Sequence, residues 1–271
     1  MVRRARLDAE LVRRGLARSR DHAAELVTQG RVEVRGLRAT KLATGVDADT
    51  PLLVRSDRAE PEWVSRGARK LLGALDGLTG EGPVVAGRRC LDAGASTGGF
   101  TDVLLHRGAR EVVAVDVGYG QLAWRLRTDQ RVRVHDRTNV RTLEPAGIGG
   151  PVDLTVADLS FISLRLALPA LAGCTAPDGD LVPMVKPQFE VGRDRLGPGG
   201  VVHDSALRAE VVLAVVAAAA DLGLTLVDTT ASPLPGPAGN VEYFLWLRRG
   251  TAEPGRPVEE LVHMAVQEGP R

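Results

Sequence analysis

Apolar positions along this chain keep two different periods. Leu7, Leu11, Val12 and Leu16 recur at helical spacing, with Gly15 near the stop. A second helix is predicted from Ser19, whose hydroxyl can cap it, through Ala23, Ala24, Leu26 and Val27 to Gly30. Short β segments are then predicted at 31–34, at Lys41-Leu42 and at 52–54, with a turn at Gly36. Two small helices followed by short strands predict an α+β unit over residues 1–60. The charged, Pro-containing stretch Arg58–Glu62 reads as a linker running to about residue 66.

From residue 67 onward the pattern becomes β/α alternation. A helix carrying Leu71, Leu72 and Leu75, with Ser65 as its cap, precedes an apolar strand around Leu91. Strands follow at 111–116, 132–134, 151–158, 180–186, 225–228 and 242–247. Helices are predicted around 103–105, at 164–171 and 205–222, and from Pro257 through Met264. Such alternation predicts a parallel, doubly wound sheet whose ligands sit at the carboxyl ends of its strands. The longest apolar run, Val211–Ala220, is bounded by Glu210 and Asp221. It falls well short of the ~20 residues a membrane span needs and reads as a helix packed on the sheet.

The stretch Cys90-Leu-Asp-Ala-Gly-Ala-Ser-Thr-Gly-Gly-Phe100 is a strand running into a glycine loop and then a helix. Glycine lets a backbone turn tightly and approach a ligand closely, so this is the arrangement of a cofactor cradle. Asp116 ends the next strand about twenty residues after Gly94, where an acid can grip ribose hydroxyls; together they point to an adenosine-containing cofactor. The middle glycine of the dinucleotide fingerprint is missing, since Ala95, Ser96 and Thr97 fill the loop, and there is no G-x-x-x-x-G-K-[ST] phosphate loop. Asp92-x-Gly94-x-Ser-x-Gly98 instead resembles the first motif of S-adenosylmethionine-dependent methyltransferases.

In a doubly wound sheet Asp116, Asp158 and Lys186 all fall on one rim. An Asp158–Lys186 pair there is either a plain surface salt bridge or a working pair. Lys70, alone on a helix, reads from spacing as a solvated surface residue. The five histidines and two cysteines are scattered, so no zinc spacing is present and no metal is expected; nor is there a G-x-S-x-G nucleophile. A ribose hydroxyl nucleophile needs a base, and a lysine whose ammonium form is disfavoured by burial and a second cation can serve. Methylation of a base amino group typically uses Asn-Pro-Pro-Tyr after the fourth strand. Here that slot reads Asp158-Leu-Ser-Phe161, which points to oxygen.

Composition changes the picture in two places. The net charge of +1 hides an asymmetry, +4 over residues 1–60 against −3 over the remainder, with Arg3, Arg4, Arg6, Arg13, Arg14, Arg18 and Arg20 in the first twenty. This is either a tether for RNA or DNA or a set of solvated helix faces. Cys90 in a strand and Cys174 near a turn predict reduced thiols in a cytoplasmic protein. Aromatic residues are only 3% of the chain, which argues against an extended base-stacking surface.

Arg6-Leu-Asp…Leu-Val-Arg-Arg-Gly15…Ser19-Arg20…Leu26-Val-x-x-Gly30-x-Val32-x-Val34 resembles the S4 RNA-binding domain. That resemblance implies RNA rather than DNA, with Arg3, Arg4, Arg6, Arg14, Arg18, Arg20 and Lys41 offered to phosphates. Six ordered motifs cover the rest: Trp63-Val-Ser-Arg-Gly-x-x-Lys70-Leu, Asp92-x-Gly-Ala-Ser-Thr-Gly-Gly-Phe100-Thr-Asp, Asp116-Val-Gly-Tyr-Gly-Gln-Leu-Ala-Trp-x-Leu126, Asp158-Leu-Ser-Phe-Ile-Ser-Leu164, Val185-Lys-Pro-Gln-Phe-Glu190 and Asn240-x-Glu-Tyr-Phe-Leu-Trp246. Together they resemble the TlyA family, S4-domain ribosomal RNA 2′-O-methyltransferases with an FtsJ-like catalytic domain, historically labelled hemolysins.

The resemblance implies an α/β fold: a Rossmann-like class I S-adenosylmethionine methyltransferase domain over 67–271 behind a small N-terminal α+β S4 RNA-binding domain. It implies a Lys-Asp-Lys-Glu tetrad of Lys70, Asp158, Lys186 and Glu242, with Lys186 as base, Asp158 and Glu242 orienting it, and Lys70 adding positive potential. It implies S-adenosyl-L-methionine held by Asp92, Gly94, Ala95, Ser96, Thr97, Gly98, Phe100, Asp116, Asp136 and Asp158. The implied partners are ribosomal RNA and ribosomal subunits, with no membrane. Ala68 and His203 depart from the common family residues without touching the tetrad. The Arg-rich extension before Leu7 resembles the longer variant of the family, which acts on cytidines in both subunits. Loss of any tetrad residue would favour a non-catalytic ribosome-assembly factor, and all four are present; a membrane-active hemolysin needs a spanning or strongly amphipathic segment, a signal sequence or a secretion route, and none is visible.

Overall fold

The computed structural model describes residues 5–47, 49–54, 61–78, 80, 82–250 and 255–270. They form two compact units that divide between Glu62 and Trp63. Arg3, Arg4 and the Arg58–Glu60 part of the expected linker lie outside the described residues.

The first unit contains β1 (Ala5–Arg6), α1 (Leu7–Arg13), α2 (Arg20–Thr28), β2 (Val32–Val34), β3 (Leu37–Arg38), β4 (Gly45–Val46) and β5 (Leu52–Val54). Ser19 caps α2 as its position predicts, accepting from the His22 amide at 3.1 Å. The strand expected at Lys41-Leu42 is a turn; strands flank it instead, β4 pairing with β1 and β3 with β2. Leu7, Leu11, Leu26, Val27, Val32 and Val46 bring the periodic positions of both helices together in one small core.

The second unit contains α3 (Gly67–Gly77), β6 (Arg89–Ala93), α4 (Gly99–His106), β7 (Glu111–Val115), α5 (Trp124–Arg127), β8 (Val132–His135), β9 (Val152–Ala157), α6 (Leu168–Cys174), β10 (Thr175–Val185), α7 (Pro187–Glu190), α8 (Ser205–Ala220), β11 (Leu224–Ala231), β12 (Tyr243–Arg249) and α9 (Val258–Glu268). The seven strands are ordered β11-β12-β10-β9-β6-β7-β8. The expectation of an all-parallel sheet is corrected at one strand: β12 runs antiparallel to both β10 and β11, while the other neighbours are parallel. The crossovers from β6 run toward β8 and those from β9 toward β10, so the strand order reverses between β6 and β9. Open α/β sheets bind ligands at this switch point.

Strand side chains alternate between two helical layers. Leu91, Ala93, Val113 and Val115 pack with Leu168, Val212, Val215 and Val262 of α6, α8 and α9. Cys90, Val112, Ala114, Leu154 and Val156 pack with Leu71 and Leu104 of α3 and α4. The helix predicted at 164–171 is broken into a 3₁₀ turn, Leu164–Leu166, and α6. Pro169 lacks the amide that would continue the first turn and fits best near a helix start. Ser65 does not cap α3, which begins after Arg66 with no side-chain cap. Trp63 belongs to the second unit's core, edge-on to His106 at 5.2 Å, and the Val64 amide donates to Asp102 Oδ2 at 2.9 Å. Burial pushes the Cys90 thiol up to about 12 and Cys174 to about 11, which leaves both unreactive.

Candidate active site

The glycine loop joins β6 to α4. Gly94 (φ +85°) and Gly98 (φ +99°) take left-handed backbone conformations that favour glycine. A Cβ on Gly94 would lie 2.4 Å from the Asp158 carbonyl oxygen, and one on Gly98 2.3 Å from Leu126 Cδ1. The bare backbone therefore lets the ends of β6 and β9 close on each other. Asp92 is fully buried beneath the loop, where its Oδ2 accepts from the Thr101 amide at 2.8 Å and hydroxyl at 2.7 Å, tying β6 to the first turn of α4. Asp92 and Gly98 line neither cavity described below; both shape the loop from behind.

Burial, with Asp158 and Asp116 nearby, pushes the Asp92 carboxyl up to about 7, against the Thr101 hydrogen bonds. A carboxyl raised in the folded state stabilises most below its unfolded value of 3.8, and that advantage is lost as pH rises through 7. Asp92→Asn should therefore gain stability relative to the parent between pH 4 and 7, by up to about 4 kcal/mol. Urea unfolding across that range checks it, and a pH-independent difference would contradict the assignment.

Asp116, at the end of β7, accepts from the Ser96 amide at Oδ2 (2.8 Å) and from the Gly118 amide at Oδ1 (2.7 Å). Each oxygen keeps a lone pair for a hydroxyl donor. It faces a cavity of about 750 Å³ that is also lined by Gly94, Ser96, Val117, Gln121, Asn139–Arg141, Asp158–Ser163 and Leu166. Sequence reasoning missed Val117, Gln121, Asn139, Val140 and Arg141. Their signal was position alone, just past the ends of β7 and β8. Asp136 lines neither cavity; its Oδ2 accepts from Arg127 Nη1 (2.9 Å) and the Gly120 amide (3.2 Å). The Arg127 hydrogen bond holds its carboxyl below the usual range.

A second cavity of about 290 Å³ is lined by Lys70, Asp158, Ser160 and Lys186, by Ala95, Thr97 and Phe100 of the loop region, and by Arg66 and Pro237. Gly94, Ser96, Asp158 and Ser160 line both cavities, so the two meet there. Lys186, placed between β10 and the Pro187 that opens α7, lies 2.6 Å from Asp158 Oδ1 and donates to Ser160 Oγ at 2.9 Å. Lys70 on α3 is not a surface residue; it is 5% exposed and ion-paired with Glu242. Because β12 runs backwards, Glu242, the residue just before it, arrives at the carboxyl rim. The tetrad is thus two ion pairs, with three members on one cavity and Glu242 behind Lys70.

Residues 63–249 match the FtsJ-like methyltransferase family, and residues 5–50 match the S4 domain. The chain is 63% identical over the full length of both proteins to the 16S/23S rRNA (cytidine-2′-O)-methyltransferase TlyA of Mycobacterium tuberculosis. The chain belongs to the TlyA family of FtsJ-like methyltransferases. It is 35% identical to Hemolysin A of Brachyspira hyodysenteriae, across 88% of this chain and 98% of that one. A solved structure from Streptococcus thermophilus, named as a candidate hemolysin, superposes with a TM-score of 0.74 at 37% identity, covering 99% of this chain and 96% of that one.

The S4 unit sorts its basic residues into two groups. Arg18, Arg20 and Lys41 are exposed, and Arg6 is exposed beside Asp8 at 3.1 Å. Arg14 is partly buried: it pairs with Glu10 at 2.7 Å and donates to the Thr50 and Asp47 carbonyls at 2.7 and 2.9 Å, which pins the turn before β5. Arg13 and Arg14 together hold the Glu10 carboxyl down at about 2. Among the described residues no helix is long and apolar enough to cross a membrane, and no group of three or more His, Cys, Asp or Glu residues could hold a metal.

Proposed function

We propose that this protein is a cytoplasmic S-adenosylmethionine-dependent methyltransferase that modifies the ribose 2′-oxygen of cytidine in 16S and 23S ribosomal RNA, within ribosomal subunits. The observation that carries this reading is the meeting of two cavities at Gly94, Ser96, Asp158 and Ser160, one facing the Asp116 carboxylate and the other facing two lysines. The larger cavity suits an adenosyl group: the spare lone pairs of Asp116 can take ribose hydroxyls, and the loop glycines leave the backbone bare. Bound there, S-adenosylmethionine would supply a sulfonium-activated methyl group.

The chain's own residues then deal with the proton. In its neutral form Lys186 Nζ can accept the 2′-hydroxyl proton, with Asp158 and Ser160 setting its direction. Lys70 supplies positive potential at the same cavity, favouring the developing alkoxide, and Glu242 holds Lys70 in place. Residues 1–60 act as the RNA-binding domain. Their exposed basic side chains fit phosphates, which gives salt-sensitive affinity with little sequence reading. Residues 67–271 act as the methyltransferase domain. All four tetrad residues stand paired, which favours this reading over a non-catalytic assembly factor.

Transfer of labelled methyl from S-adenosylmethionine to purified ribosomal subunits tests the proposal. Label should appear on cytidine ribose oxygens in the RNA of both subunits. Label on a base nitrogen, or none despite cofactor binding, would overturn it.

A further inference from the structure

Glu190 has no part in the chemistry above, yet it is one of the best-satisfied carboxylates in the molecule. Its side chain is 2% exposed and accepts from Ser163 Oγ at 2.7 Å, the Leu164 amide at 2.6 Å and Arg165 Nε at 3.2 Å. All three donors lie on the segment after β9, most of which walls the larger cavity. Within that segment Phe161 has φ +65°, a conformation that a residue with a Cβ keeps only when its surroundings impose it.

The other end of the segment is tied as well. Lys186 and Glu190 sit at the two ends of one helical turn. Lys186 grips Asp158 and Ser160, Glu190 grips Ser163 through Arg165, and the Phe161 and Phe189 rings meet between them at 5.5 Å. We infer that Glu190 is a positioning residue: it clasps the cofactor-cavity wall to the segment that carries Lys186, so that the cavity and the base move as one body. The inference rests on the proposed use of that cavity. If Lys186 turns from Asp158 to a substrate hydroxyl, one tie is released, and Glu190 keeps the wall seated.

The test compares S-adenosylmethionine affinity by calorimetry with thermal midpoint, in the full-length protein. Glu190→Ala should raise Kd tenfold or more. Glu190→Gln, which keeps an acceptor for the Leu164 amide and a polar partner for Ser163, should stay within threefold of the parent. The control is Asp180→Asn. Asp180 is also buried and holds Trp246 Nε1 at 2.6 Å, but it lines neither cavity. This variant should lower the thermal midpoint and leave Kd unchanged. If Glu190→Ala does not fold, Arg165→Ala removes one donor from the exposed side and should raise Kd two- to fivefold. Parent-like affinity in Glu190→Ala, or in Arg165→Ala where that replaces it, overturns the clasp; so does an equal loss in Asp180→Asn. Parent protein that binds S-adenosylmethionine but transfers no methyl defeats the proposed function and leaves the clasp readable in binding. Parent protein that does not bind it defeats both.

Discussion

Lys186→Ala should abolish methyl transfer to ribosomal RNA, with a loss of about 10²–10⁴-fold if general-base action is all that is removed. S-adenosylmethionine affinity should stay within about threefold, because truncation takes nothing from Asp116 or the glycine loop and general-base action adds nothing to ground-state binding. Asp158 loses its partner, but both residues line one cavity, and water entering the space left by the truncation can take the place of the ammonium. Lys186→Arg separates base from charge. Arginine can keep the pair with Asp158 yet stays protonated at any accessible pH. A dead arginine variant supports proton abstraction, whereas substantial activity would mean that Lys186 works as a fixed positive charge. Single-turnover methyl transfer and equilibrium cofactor binding read the two quantities separately.

Glu242→Ala should be the most destabilising single change in the tetrad. Lys70 and Glu242 have side-chain exposures of 6% and 1%, so both charges are held largely out of water. Removing one partner of a buried pair strands the other, at about 3–5 kcal/mol. Replacing both with apolar groups, Lys70→Met with Glu242→Leu, removes the stranded charge and should recover much of that stability. Activity should not return, because the positive potential beside Lys186 has gone. Urea unfolding of the two single variants and the double variant, with methyl transfer on each, checks both halves. A Glu242→Ala protein as stable as the parent would mean that the pair is not buried in solution.

The two pairs also show where sequence reading stops. Leu7, Leu11 and Leu26 declared their helices, and Val112 through Val115 their strand, because period and burial are linked within a few residues of chain. Gly94 and Asp116 declared a glycine turn and a strand-end acid for the same reason, since both are local requirements. Local spacing gave Lys70 no role, and only family resemblance lifted it into the tetrad.

What the sequence by itself determined, then, was each element with its short-range chemistry, the rim residues of the sheet and, by likeness, the family. The tertiary structure decided partnership. It reversed β12 and so delivered Glu242 to Lys70, 172 residues earlier in the chain. It turned Asp136 to Arg127 and Arg14 to the Asp47 and Thr50 carbonyls, and it set Glu190 against Ser163 and Leu164. The physical reason is that a buried polar group must find a partner from whatever the packing places beside it, and strand order and direction arise from the whole sheet.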